Sequence, residues 1–301
     1  MQLTKSLAKN SWVVHDARVG GVVCVVCGRA LRPLFQARGY WVCECDPCGY
    51  RGLDYRPSCD HPARVYGDSY FLGGGHGYAN YFSEAALLRA RGRRYARLMS
   101  RFTASGTVLD IGAAAGFLLQ GFLDHGWRGE GVEPNARMAG HARGSGIPVW
   151  IGTLEDFHPQ RRYDLISMIQ VIGHFMQPRQ ALESAAAAAR PGGYWLVETW
   201  SFHSWAARLF GRRWHEYSPP SVLHVFSKEA LRRLSAQYGF SEVTSGRMVK
   251  WVNAGHVASL LIHHLLPGSA VGRRLAGLIP DRIPLPYPGD DLYWMLLQKS
   301  G

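Results

Sequence analysis

The sequence lacks the features of an exported or membrane-spanning protein. It contains no uninterrupted apolar run of about 18 residues, and residues 1–14 hold no apolar core followed by a small-residue cleavage site. Cysteine is absent after Cys59. We therefore expect a cytoplasmic chain without a transmembrane segment, in which disulfides are disfavoured.

Acidic charge is scarce as well. The 301 residues contain 34 Lys and Arg against 22 Asp and Glu, a net charge of +12. Hydrophobic residues make up 47% and charged residues 19%, a composition that excludes disordered and fibrous chains. The positive charge leaves a nucleic-acid partner open, although the aromatic residues are not interleaved with the basic ones as base stacking requires.

The cysteines are confined to one short region. Two C-x-x-C-G sequences stand there, at residues 24–28 and 45–49, and each glycine permits the positive φ of a tight metal-binding turn. The spacing is typical of a zinc ribbon; redox-active thiols and unligated cysteines are the alternatives, and Cys43 could replace Cys45 as a ligand. We predict a zinc ribbon over residues 1–65, with structural Zn²⁺ bound by Cys24, Cys27, Cys45 and Cys48.

Residues 66–105 differ from the rest of the chain in composition. Glycine and aromatic residues dominate residues 66–81, and residues 83–101 have the pattern of a basic helix. The arginines of this helix face either solvent or an anionic partner. Tyr78 and Tyr81 either close over a bound ligand or pack against a neighbouring helix. We treat this stretch as an aromatic linker followed by a basic helix.

From Gly106 onward, short apolar strands alternate with helical segments. This alternation predicts right-handed crossovers and therefore an α/β fold with a doubly wound, mostly parallel Rossmann-like sheet over residues 106–301. An apolar insert at about 250–288 interrupts the last part of this domain. The insert could roof an acceptor pocket, make peripheral contact with a membrane, or pack in the core or in a dimer. The oligomeric state is not predicted.

A glycine-containing loop follows the first strand of this domain. It runs from Asp110 to Phe117, and its small residues let the backbone approach a ligand closely. Glu133 stands at the end of the next strand, where an acid can accept hydrogen bonds from both hydroxyls of a ribose. The loop lacks the third glycine of a dinucleotide-binding fingerprint, so a nicotinamide cofactor is disfavoured.

These motifs resemble, in their order and spacing, the class I S-adenosylmethionine (SAM)-dependent methyltransferases that carry an N-terminal zinc ribbon. The resemblance covers nearly the whole chain. It rests on the cysteine pairs, the glycine loop and a series of short motifs, which are G-Y-A-N-Y at 77–81, G-V-E-P-N at 131–135, G-T-L-E at 152–155, R-P-G-G at 190–193 and P-P-S-V-L-H-V-F-S at 219–227.

The resemblance implies SAM as the cofactor and assigns roles to individual residues. Glu133 would hold the ribose, Leu154 would lie near the adenine and Glu155 near its amino group, although helix capping is the alternative for Glu155. Gln170 would lie close to the sulfonium. The remaining implied cofactor-binding residues belong to the loop and are Asp110, Gly112, Ala113, Gly116 and Phe117.

Several positions depart from the family pattern. Ala114 replaces the middle glycine of the loop, Gln170 a strand-end aspartate, Gly173 a glutamate, and Val222 a histidine, while His224 stands two residues further on. Histidine suits a general base at neutral pH. We predict His174 and His224 as candidate catalytic bases because their inferred positions face the cofactor.

The sequence therefore predicts an enzyme that methylates a small or carrier-bound acceptor, such as a sugar, a glycan, a lipid head group or a natural-product intermediate. An RNA methyltransferase is the first alternative, favoured by the positive charge and the ribbon. A zinc-stabilised interaction protein with a decayed catalytic site is the second.

Overall fold

The computed structural model describes residues 21–73, 77–78, 80–249, 251–253, 284–286 and 291–301. The described strands are, in chain order, Arg32–Ala37 (β1), Tyr40–Cys45 (β2), Tyr50–Leu53 (β3), Thr107–Ile111 (β4), Arg128–Glu133 (β5), Val149–Ile151 (β6), Tyr163–Ile169 (β7), Ala189–Trp200 (β8), His224–Phe226 (β9), Phe240–Gly246 (β10), Trp251–Asn253 (β11), Pro284–Pro286 (β12) and Leu292–Lys299 (β13).

The described helices are His61–Val65 (α1), Asp68–Leu72 (α2), Ala85–Met99 (α3), Phe117–Leu123 (α4), Ala136–Gly144 (α5), Pro178–Ala188 (α6), Trp205–Phe210 (α7) and Lys228–Ala236 (α8). Short 3₁₀ turns cover Tyr81–Glu84, Leu154–Asp156, Ile172–His174 and Gly211–Arg213. Within these ranges, no helix combines the length and the apolar character that crossing a bilayer requires.

The large sheet has seven strands in the order β10-β13-β8-β7-β4-β5-β6. Strands β4 to β8 pair in parallel, and β13 runs antiparallel to both of its neighbours. The predicted mostly parallel α/β fold is thus confirmed. The central strands β4 and β7 and the second half of β8 are mostly apolar and buried because helices cover both faces of such a sheet.

Helix α6, which follows β7, passes directly into a strand. It stops at Ala188, and β8 begins at once with Ala189. Pro191 explains this change, since the residue before a proline is biased towards extended backbone and the chain has to leave the helix ahead of it.

The small sheet combines three strands of the cysteine-containing region with one strand from much later in the chain. Its order is β1-β2-β3-β9, and β9 pairs antiparallel with β3 so that Gly52 lies opposite His224. The N-terminal sheet is therefore completed by a strand that follows the fifth parallel strand of the large domain. The predicted insert at about 250–288 lies outside the described residues, except for β11 and β12, which pair with each other.

Helices α3 and α4 cross at two glycines. A Cβ built on Gly121 would lie 2.6 Å from the backbone nitrogen of Arg93 and 2.7 Å from Cα of Gly92. Neither atom is at the end of a flexible side chain, so the helices have to separate to admit a methyl group. The crossing matters for the site because α4 begins directly after the glycine loop.

We predict that Gly121→Ala lowers the free energy of unfolding by about 1–3 kcal/mol, as overpacking does. Gly140→Ala on the exposed face of α5 is the matched control, because its Cβ would meet nothing within 4 Å. The control should be neutral or stabilise by up to about 1 kcal/mol, since alanine is the better helix former. Urea unfolding measures both, and equal stability of the two variants would contradict the close crossing.

Candidate active site

The glycine loop between β4 and α4 has left-handed backbone at three positions. The φ angles are +71° at Gly112, +46° at Ala114 and +80° at Gly116. Ala114, which stands where the family pattern has glycine, therefore carries backbone strain of about 1–3 kcal/mol. The loop is tied to β5, because the backbone nitrogens of Gly112 and Ala113 donate to the carbonyl oxygen of Val132 at 2.8 and 3.1 Å.

Glu133 fixes the conformation of this loop. Its Oε2 accepts a hydrogen bond from the backbone nitrogen of Ala114 at 2.8 Å, and its Oε1 accepts one from the backbone nitrogen of Asn135 at 2.8 Å. Burial raises the pKa of the Glu133 carboxyl to about 7, against the effect of these two bonds. A carboxylate offers about four acceptor positions, so it can still accept two hydroxyl groups. The residue thus fits a buried ribose.

Asp110 brings a second carboxyl group to the same edge of the sheet. Ser167 on β7 donates from Oγ to Oδ1 of Asp110 at 2.8 Å. Burial and the nearby charge of Glu133 raise the pKa of Asp110 to about 7, against the effect of the Ser167 bond. A cationic ligand would relieve this unfavourable burial of two acids, whereas an anionic one would increase it.

Leu154 and Glu155 lie on the 3₁₀ turn that follows β6. The Oε1 of Glu155 accepts hydrogen bonds from the backbone nitrogens of Met176 and Gln177, at 2.8 and 3.2 Å, directly before α6 begins. Leu154 is buried in the main core. The carboxylate of Glu155 therefore holds the loop between β7 and α6. This contact at the start of a helix corresponds to helix capping, the alternative role that the sequence left open for Glu155.

Gln170 follows β7 with a left-handed backbone, at φ +58°. Its backbone nitrogen donates to the carbonyl oxygen of Glu198 at 2.7 Å, and its Nε2 donates to the Glu198 Oε1 at 2.9 Å. Glu198 is fully buried and also bonds Arg91 and Tyr95 of α3. Burial raises the pKa of Glu198, but the Arg91 charge together with the hydrogen bonds from Arg91, Tyr95 and Gln170 holds it below its usual value. The basic helix is thus coupled to Gln170 through a buried ion pair.

His174 ends the 3₁₀ turn at the carboxyl edge of the sheet. Its Nδ1 lies 2.6 Å from the carbonyl oxygen of Ser221 and has to donate to it, so Nε2 of the neutral ring carries the lone pair. Tyr66 donates from its hydroxyl to the same carbonyl at 2.7 Å. Burial lowers the pKa of His174. The residue is an oriented, neutral imidazole at pH 7.

His224 has both ring nitrogens engaged. Its Nε2 donates to the carbonyl oxygen of Phe175 at 2.9 Å, and its Nδ1 accepts from the Tyr50 hydroxyl at 2.6 Å. Burial lowers its pKa to about 4. In this arrangement neither nitrogen is available to take a proton from an acceptor. The side chain instead connects β3 to the loop that carries His174.

Aromatic side chains of the linker cover the glycine loop. The Tyr81 ring stacks on Phe117 with centroids 5.6 Å apart, and Tyr78 packs edge-on against Tyr81 at 4.9 Å. Ala114, Ala115 and Met138 belong to the same cluster. These rings pack against residues of the glycine loop, so the packing of the linker also covers the loop.

Four cysteines meet at the end of the small sheet. The Sγ atoms of Cys24, Cys27, Cys45 and Cys48 all lie within 4.8 Å of one another, and those of Cys27 and Cys45 are 3.6 Å apart. A tetrahedral ion with Zn–S bonds of 2.3 Å requires sulfurs about 3.8 Å apart. Gly28 and Gly49 have φ of +75° and +61°, which confirms the predicted turns. The four thiols fit a closed structural zinc site.

The arginines of α3 bond acids of this chain. Arg89 and Arg93 both pair with Asp124, at 2.7 and 3.0 Å, and Arg91 pairs with Glu198. Part of the basic charge that suggested an anionic partner is therefore used inside the molecule.

Sequence reasoning did not identify Arg91, Glu198, Tyr50 or Tyr66. Arg91 lies among five arginines of one helix, and nothing local distinguishes it from its exposed neighbours. A charged residue within the apolar strand β8 was the available signal for Glu198, because a buried acid requires a partner.

Comparison with known proteins finds a methyltransferase domain that contains the candidate site. A family model for a methyltransferase domain matches residues 81–245, which include the glycine loop, Glu133 and the two candidate bases, His174 and His224. The ubiquinone biosynthesis O-methyltransferase of Bradyrhizobium sp. (strain ORS 278) is 29% identical over 129 residues, covering 40% of this chain and 51% of that protein. The chain thus spans about half the length of the curated relatives it matches.

Two solved structures have a similar fold. A SAM-dependent methyltransferase from Archaeoglobus fulgidus has a TM-score of 0.51 at 19% identity, covering 74% of this chain and 100% of that one. The Burkholderia thailandensis 1,6-didemethyltoxoflavin-N1-methyltransferase, bound to 1,6-didemethyltoxoflavin and S-adenosylhomocysteine, has a TM-score of 0.52 at 16% identity, covering 90% and 100%. At these identities the likeness shows the fold alone.

We predict that the purified protein carries about one equivalent of zinc and that Cys48→Ser lowers its content and the thermal stability. Because β9 pairs with β3, hydrogen-exchange protection should fall both in residues 21–53 and at His224–Phe226. Elemental analysis and hydrogen exchange measure these effects, with the exposed Cys59→Ser as control. A native protein without metal would contradict the ribbon.

Proposed function

Because this chain belongs to the family of SAM-dependent methyltransferase domains, we propose that it transfers the methyl group of SAM to a small or carrier-bound acceptor. The observation that carries the proposal is the buried Glu133 carboxylate, bonded to the backbone of the glycine loop at the carboxyl edge of the parallel sheet. This edge is where open α/β sheets bind ligands.

The residues around Glu133 suit the parts of SAM. Glu133 would accept both ribose hydroxyls, and the loop from Gly112 to Phe117 would line the methionine portion. Asp110 and Glu133 supply the negative charge that a sulfonium and an ammonium group favour. Gln170, held by Glu198, would border the sulfonium, while Leu154 and Glu155 would border the adenine.

Bound SAM supplies an activated methyl group for in-line displacement by an oxygen, nitrogen or carbon nucleophile. The chain positions the acceptor and excludes water, a task that the aromatic linker and its tyrosines would share. We assign general-base function to His174, a buried imidazole whose Nδ1 is oriented by the Ser221 carbonyl and whose lowered pKa keeps the ring neutral at pH 7.

The acceptor is assigned only as a class. The relatives described above are named for an O-methylation in ubiquinone biosynthesis and for the N1-methylation of 1,6-didemethyltoxoflavin, both small-molecule reactions. We extend that class to this chain and include carrier-bound forms such as a glycan end or a lipid head group. Cysteines in a metal-binding pattern are consistent with a reducing, cytoplasmic site of reaction.

Titration calorimetry with SAM tests the proposal directly. We expect binding with a measurable heat and an increase in the thermal unfolding temperature, because a ligand that binds only the folded state stabilises it. No heat and no thermal shift would contradict the proposal and favour a decayed site.

We predict that Glu133→Gln weakens SAM binding by about 1–3 kcal/mol, the value of hydrogen bonds to a charged group. The matched control is Glu130→Gln on the same strand, whose carboxylate bonds Arg161 and Tyr163 instead of the loop. Calorimetry measures both affinities, and circular dichroism shows whether each variant is folded. An unchanged affinity of Glu133→Gln would refute the ribose assignment.

We predict that His174 titrates below pH 6.5, because burial lowers its pKa. Its base form then persists as the pH falls through 6.5, and the rate declines only below that value. Nuclear magnetic resonance of the ring protons measures the pKa without an acceptor, with exposed His158 as the internal reference.

Turnover measures the role of His174 once an acceptor is in hand. His174→Gln should lower kcat by about 10²–10⁴-fold and leave the SAM affinity unchanged, while His158→Gln should alter neither. A His174 pKa above 6.5, or full activity of His174→Gln, would remove this residue from the mechanism.

A further inference from the structure

The short helix α7 exposes apolar side chains that contribute little to the fold. Ala206 and Ala207 face the core, whereas Trp205, Leu209 and Phe210 are 49%, 69% and 52% exposed. Exposed apolar residues that lie together on one element mark a contact surface more often than isolated ones do. We call these three residues the α7 apolar patch.

Positive charge surrounds the α7 apolar patch. Arg208 lies within the helix, and Arg212 and Arg213 lie on the 3₁₀ turn that follows it, all of them exposed. With the described residues these three arginines form no ion pair, and the nearest acid along the chain, Glu216, is paired with His215. Tryptophan, leucine and phenylalanine beside arginine are the composition of helices that lie in a membrane interface.

The patch stands next to the proposed active site. Strand β8 ends at Trp200, whose ring lies 5.6 Å from that of His174, and α7 begins five residues later. Leu292, the first residue of β13, pairs with Trp200 at the same edge of the sheet. A surface bound to the α7 apolar patch would therefore lie beside the acceptor side of the site.

We propose that α7 and the turn after it anchor this protein peripherally to an anionic lipid bilayer, with the three apolar side chains inserted at the interface and the three arginines against the head groups. The membrane-binding surface is inferred from the exposed residues of α7 and the turn after it. Its role in presenting the site to membrane-held acceptors rests on the proposed function. An RNA or an acidic protein at this surface is the competing occupant.

Vesicle co-sedimentation tests the proposal with the full chain. The wild type should bind vesicles of phosphatidylcholine with phosphatidylglycerol at least about tenfold more tightly than vesicles of phosphatidylcholine alone, and salt should reduce this preference because the charges are exposed. The triple variant Trp205→Ala, Leu209→Ala, Phe210→Ala should bind anionic vesicles at least about tenfold more weakly. Arg212→Gln with Arg213→Gln should lose the preference for anionic lipid.

Two controls match these variants elsewhere on the surface. Val243→Ala removes apolar surface from β10, where the side chain is 42% exposed, and Arg97→Gln with Arg101→Gln removes charge near the end of α3. Both should bind vesicles as the wild type does. Thermal unfolding checks the fold of each variant, and Leu209→Ser alone gives a milder change should the triple variant unfold.

Three outcomes would overturn the proposal. The wild type could fail to bind anionic vesicles, the patch variants could bind them unchanged, or transfer RNA could bind through Arg212 and Arg213 while vesicles do not. Calorimetry with SAM runs separately on the same samples, so the loss of cofactor binding and the loss of membrane binding are distinguishable.

Discussion

The structure depends on keeping acidic groups away from water at the carboxyl edge of a parallel sheet. Glu133 provides the central case, since its two oxygens hold the glycine loop on one side and the start of α5 on the other. Burying a carboxylate is unfavourable unless hydrogen bonds and opposite charge compensate. Here the backbone supplies only part of that compensation, and a cationic adenosyl ligand would supply the rest. The burial that is unfavourable for these carboxylates alone thus favours a cationic ligand at this edge.

Glu198 is another buried acid, and the cost of burying its carboxylate is compensated differently. Its carboxylate is compensated within the protein by Arg91, so it stays ionised and serves as a fixed support for Gln170. One buried acid therefore remains available to a ligand, while another is used to shape the backbone beside it. Helix α3 is thereby connected through Glu198 to Gln170, which the family resemblance assigns to the cofactor.

The order of strands and helices from Thr107 onward could be predicted because each apolar strand and each helix has its own local period. The same holds for the four cysteines, whose spacing is a local pattern. The contacts of Arg91 with Glu198 and of His224 with Tyr50 could not be predicted, because each joins segments more than a hundred residues apart and one arginine or histidine in a sequence looks like another. The pairing of β3 with β9 belongs to this class. The hydrogen bonds that orient His174 and His224 likewise go to carbonyl groups that no sequence pattern marks.

The β3–β9 pairing has a consequence for how the chain folds as it is made. The first three strands of the cysteine-bearing sheet are synthesised before the large sheet. Its last strand, with the His224 side chain that accepts from Tyr50 and the Ser227 contact to Gly49, comes only after five parallel strands. At synthesis rates of about 5–20 residues per second, this delay is on the order of ten seconds. During this delay, the edge of β3 that later pairs with β9 is unpaired. A metal ion bound early by the four thiols would stabilise the three existing strands before β9 is made.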